Sequence, residues 1–228
     1  MSDRLRDAFD SEALPPGLET RVRAGLRAKR PRGWWWFAAI AATAAGFFGF
    51  LYVQKLMTVN QILAAAEPGL HAILRVGLRD HVYCAVMRKY NSAPPAVAKL
   101  AAELPAEMRG LASIVQQHVP ARFAMHVAHV CKYKGRSYVH IALHDGTRLV
   151  SVMLTRREGG EALTRADLLT MTSAGGVDMF SGGTQGYDVS AFAKGEWLVF
   201  LVSDLEPAES RSLMLALAPA VREYLDKV

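Results

Sequence analysis

Hydrophobic and polar positions divide the chain into three stretches with different periods. From Gly33 to Gln54 no charged side chain occurs, and Trp34 to Val53 alone supplies 20 residues. At about 1.5 Å per residue such a helix covers a hydrocarbon core of about 30 Å. A buried helix of a soluble domain seldom keeps every face apolar over that length, so the pattern predicts one membrane span. Trp34, Trp35 and Trp36 open the run and Tyr52 closes it, which sets amphipathic rings at both interfaces. Behind it, residues 56–118 read mostly as helix. Val97, Leu100, Ala101 and Leu104, then Met108, Leu111 and Val115, follow the 3.6-residue period, with Pro105 between them. Leu74 to Arg79 alternates instead and fits either helix or strand.

After Pro120 the period changes to two. Residues 123–131, 137–143 and 149–154 predict a three-strand meander, turned at Lys134-Gly135 and at Asp145-Gly146, the latter a tight-hairpin signal. A further pair, 177–180 and 187–192, leads through Lys194-Gly195 into Trp197 to Val202, an unbroken apolar run suited to a central strand covered on both faces. Ser203 or Asp204 is placed to cap a closing helix with Glu206 and Pro207 in its first turn and Leu213, Leu217, Val221 and Tyr224 on its inner face. Helices followed by antiparallel strands mean an α+β class.

Composition changes the picture mainly through where the charge lies. The 228 residues are 51% hydrophobic with a net charge of +6, which argues against disorder. Eight basic residues (Arg4, Arg6, Arg21, Arg23, Arg27, Lys29, Arg30, Arg32) precede the apolar run, and only Lys55 follows closely. This asymmetry predicts a cytoplasmic segment 1–32, a span 33–54 and a periplasmic domain 55–228, a single pass through the inner membrane. A cleaved signal peptide is the competing account, since Ala42-Thr43-Ala44 is a small-x-small site. The apolar run and the segment before it are too long for the ordinary signal design. In the basic segment Leu18, Val22 and Leu26 recur at i, i+4 and i+8, as on a helix lying on anionic lipid or docking a partner protein. With the basic excess at the bilayer, no direct contact with nucleic acid is expected.

Candidate chemistry centres on two His/Cys pairs. His81 and Cys84 lie three apart, neighbours if helical, and His129 and Cys131 lie two apart on one strand face. Brought together, they make a four-ligand site for zinc or copper, and a haem site is a further option. The same cysteines, on an oxidising outer side, are more simply a Cys84–Cys131 disulfide, which is the favoured expectation; buried free thiols are the third. By strand alternation His126 points away from His129 unless the strand is bulged. His140 and His144 share a face with Tyr138 and read as packed or solvated, and Met171 and Met179 as core fillers. No G-x-S-x-G, H-E-x-x-H or phosphate loop occurs, and no nucleophile and base are assembled in sequence. An enzyme is therefore not expected.

The order of parts carries a resemblance. A basic segment, one span, Asp80-His81, a meander, then Gln185-Gly186-Tyr187-Asp188-Val189 and Trp197 through Leu205 with its Val-Ser-Asp-Leu ending resemble bacterial single-pass anti-sigma factors and transmembrane transcriptional regulators. The resemblance implies a regulator that holds a sigma factor, or another envelope protein, at the membrane and relays an envelope signal. Zinc-binding members of that family carry a cytoplasmic H-x3-C-x2-C motif, whereas residues 1–32 contain neither His nor Cys. The alternative is an anchored periplasmic metal-, haem- or redox-binding domain without sigma-factor binding.

Overall fold

A computed structural model describes residues 16–28, 34–90, 93–163, 170–184 and 186–228. The chain divides into two compact units, Met1–Gln54 and Lys55–Val228.

In the first unit, helix α1 spans Leu18–Ala28. Leu18 and Val22 are exposed on it, while the side chain of Leu26 lies outside the described residues. Helix α2, Trp34–Ala66, contains a stretch long and apolar enough to cross a membrane by length and composition. Trp35, Trp36, Phe37, Ile40, Phe47, Phe48 and Leu51 all lie exposed along it. Thr43 Oγ1 donates to the Ala39 carbonyl at 2.9 Å, within the helix.

The second unit is a seven-stranded antiparallel sheet between two layers of helix. The strands are β1 Ala124–Tyr133, β2 Arg136–His144, β3 Leu149–Arg156, β4 Thr170–Ala174, β5 Val177–Thr184, β6 Tyr187–Lys194 and β7 Trp197–Ser203, in the order β1-β2-β3-β7-β6-β5-β4. The α+β expectation and the meander are found, with β7 central as its unbroken apolar run requires. Val199 and Leu201 pack into one core; Leu198, Phe200 and Val202 pack into the other. Helices α4 (Val97–Ala101), α5 (Arg109–His118) and α6 (Pro207–Leu225) cover the first face. Helix α3 (Ala72–Asp80) and residues Val59, Leu63 and Ala66 of α2 cover the second.

Local chemistry explains the turns. Lys134 and Gly135 both take positive φ, 49° and 85°, the handedness that a two-residue hairpin demands. Asp145-Gly146 closes a longer loop instead, because Asp145 Oδ1 accepts from the backbone N–H groups of Thr147 and Arg148 at 3.0 and 2.8 Å. The ambiguous stretch Leu74 to Arg79 is helical, in α3. Neither Ser203 nor Asp204 caps α6, which starts with Pro207 after Glu206. Asp204 Oδ1 accepts from Leu149 N–H at 2.8 Å, and Ser203 Oγ donates to Ser210 Oγ at 3.0 Å. Both side chains thus fasten β7 to its neighbours.

Candidate metal centre

Helix α3 lies unusually close to the sheet. A Cβ placed on Gly77 would come within 2.7 Å of the Phe200 ring, so glycine there lets the helix end drop onto β7 and carries Asp80 into the interior. Asp80 and His81 are fully buried. From His81 to Val86 the helix widens into a π turn. An i→i+5 turn advances less per residue than an α-helix, so three residues no longer bring His81 and Cys84 onto one face.

That widening decides which side chains meet. Cys84, His129, Cys131 and His140 each offer a ligand atom, and these atoms all lie within 4.8 Å of one another. Three of the four residues expected from sequence are therefore brought together. His81 is not among them, and His140 takes its place. The His81 Nδ1 instead lies 2.8 Å from Ser151 Oγ. The expected disulfide is absent, for both cysteines are free. Each sulfur has a polar partner: Cys84 Sγ lies 3.1 Å from His129 Nε2, and the Cys131 thiol donates to Asp80 Oδ1 at 3.2 Å. β1 is bulged between Met125 and Val127, yet His126 stays away from the cluster and packs on Tyr90 and His144, with ring centroids 5.5 and 6.0 Å away. His144 stacks on Tyr90 at 5.0 Å.

Strand register supplies His140. It pairs directly with His129 across β1 and β2, so the two imidazoles emerge on one face, centroids 5.9 Å apart. Its Nδ1 bonds Asp80 Oδ2 at 2.8 Å and its Nε2 lies 2.9 Å from Ser151 Oγ.

Proton positions follow from which groups can only donate. Arg88 Nη2 lies 3.3 Å from His129 Nδ1; a guanidinium cannot accept, so Nδ1 does, and the neutral ring carries its proton on Nε2, facing Cys84 Sγ. The Cys131 thiol beside it, with His129 and His140, holds the Cys84 thiol far below its usual range against the effect of burial. Cys131 moves the opposite way, raised by the hydrogen bond it shares with Cys84, by burial and by the Asp80 carboxylate. Burial alone would lower His140, but Asp80 and Cys84 overcome it and raise the ring to about 9. Burial and the His140 charge push His81 down to about 3. A charged His140 donates to Asp80 and to Ser151, whose hydroxyl then donates to His81 Nδ1. The His81 proton is left on Nε2, which is buried without a partner.

Two thiols and two imidazoles form a donor set for a tetrahedral soft or borderline cation. Cys84, His129 and Cys131 are partly exposed and His140 is buried, which leaves an entry path from one side. Ligation by His129 Nε2 would move its proton to Nδ1, displacing the exposed Arg88. No protein-family model matches the chain, and no curated protein matches it.

Proposed function

We propose that this protein is a membrane-anchored sensor whose outer domain binds zinc through Cys84, His129, Cys131 and His140. The convergence of these four donors within 4.8 Å carries the reading. Zinc suits the set because it takes sulfur and imidazole nitrogen in tetrahedral geometry without redox chemistry; copper(I) shares the preference for thiolate. Ser151 orients His140 through its Nε2, as residues behind metal ligands do, and Asp80, which accepts from the Cys131 thiol and from His140 Nδ1, is the carboxylate placed to take the protons these ligands release on binding. In this reading the span is retained, residues 1–32 face the cytoplasm and the sheet domain faces the periplasm, as the basic residues ahead of the apolar run favour.

Full-length protein purified in detergent is expected to carry about one zinc per chain, with both thiols protected until a chelator is added. Metal-free protein with two reactive thiols, or a bridged pair, would contradict the proposal.

A second reading concerns output. Leu18 and Val22 lie exposed on basic helix α1, and together with the resemblance to anti-sigma factors they support docking of a sigma factor in the cytoplasm. Capture of a sigma factor by full-length protein, lost in a Leu18→Glu/Val22→Glu variant, supports it. Equal capture by the variant, or none by either, counts against it.

A further inference from the structure

A cavity of about 290 Å³ opens beside the π turn, lined among others by His81, Arg88, Tyr90, His144, Tyr187 and Asp204. Its chemistry is lopsided. His81 is fully buried and its Nε2 has no partner, an omission that costs about 1–3 kcal/mol in a protein interior unless something supplies the missing bond. With a metal on His140 Nδ1, the His140 Nε2–H donates to Ser151, Ser151 donates to His81 Nδ1, and the His81 Nε2 carries a proton. The unmet group is thus a donor.

Arg88 brings the charge. It is exposed, its Nε donates to the Cys84 carbonyl at 3.1 Å and its Nη2 to His129 Nδ1 at 3.3 Å, and it has no carboxylate partner among the described residues. Asp204, the acidic side chain in the lining, already accepts from Leu149 N–H. The walls are flat: the Tyr187 ring meets His81 edge to face at 5.5 Å, and Tyr90 stacks on His144. Val86 and Leu149 complete an apolar floor.

We propose that this cavity binds a small planar carboxylate, its oxygens on the Arg88 guanidinium and the His81 Nε2–H and its body between the aromatic walls. Charge-assisted bonds from a guanidinium and an imidazole give the orientation, and the rings give the shape selection. The site meets the metal centre at two points, Ser151 between His81 and His140 and Arg88 beside His129.

Sodium benzoate serves as the probe, titrated at constant ionic strength into full-length protein in detergent with ¹⁵N-labelled histidine rings. A saturable shift of the His81 ring nitrogens at millimolar benzoate is expected, at least about tenfold weaker in Arg88→Gln. Benzamide, which has the same shape without the charge, is expected to leave His81 unmoved. No saturable shift, an equal response to benzamide, or an unchanged response in Arg88→Gln overturns the proposal. Each titration is run on metal-free and zinc-loaded protein, so failure of zinc binding and failure of carboxylate binding are read separately.

Discussion

Removing single side chains separates ligands from neighbours at the metal centre. His140→Ala is expected to abolish stoichiometric zinc retention, whereas His81→Ala keeps it, because His81 reaches the cluster only through Ser151. Ser151→Ala, which removes the partner of His140 Nε2, weakens zinc about 10–100-fold, the usual cost of losing a group behind a ligand; competition with a chelator dye measures all three. His140 was legible in principle. With Lys134-Gly135 as a two-residue turn, Tyr133 pairs with Arg136 and the count back along both strands sets His129 opposite His140. Alternation on β2 alone could not reveal this, since it says nothing of the partner strand. The disulfide expectation came from compartment and count, and neither contains the polar partners that each sulfur has. Elsewhere, buried Arg136 donates to Glu161 through Nη1 and Nη2 and to Thr155 Oγ1 through Nε. Arg136→Met should cost about 1–3 kcal/mol in denaturant unfolding, as loss of charge-assisted hydrogen bonds to a partly buried partner does. The hydrogen bond from Arg136 holds Glu161 below its ordinary range. That contribution is present above the unfolded carboxylate value and lost as pH falls through the folded one. Wild type should therefore lose stability on acidification below about pH 4.5 more steeply than Arg136→Met does.

Among the elements, α3 and its π turn matter most to the site. Gly77→Ala would favour the isolated helix by about 1 kcal/mol, yet the added methyl meets the Phe200 ring. Overpacking of this kind costs about 1–3 kcal/mol, so a net loss of stability and weaker zinc binding are expected together, measured by thermal unfolding and chelator competition. A stabilised variant with unchanged zinc affinity would show that the close approach does not position the π turn and its Cys84. Strands β1 to β3, β5 and β6 were readable from their period, β7 from its unbroken apolar run, and α6 from its apolar face. β4, Thr170–Ala174, was not, because its five residues, Thr-Met-Thr-Ser-Ala, carry no run of large apolar positions. The π turn is equally silent in sequence: His81 to Val86 has ordinary helical composition.

At the scale of the molecule, position along the chain governs the account. A reporter fused after Val228 should be active only on the outer side, and replacing Arg27, Lys29, Arg30 and Arg32 with Gln should weaken that bias. Full-length protein should stay with membranes through high-salt and alkaline washing, whereas a soluble fragment beginning near Gln54 would identify the apolar run as a cleaved signal. The long apolar helix was legible because such a stretch announces itself by length and lack of charge, while the site depends on contacts between residues 45 to 60 positions apart, such as Cys84 with His129 and Asp80 with His140. X-ray absorption on the zinc-loaded full-length protein tests the central claim most directly. Two sulfur ligands at about 2.3 Å and two nitrogen ligands at about 2.0–2.1 Å are expected. A shell of oxygen and nitrogen alone, or one unchanged in Cys84→Ser, would contradict it.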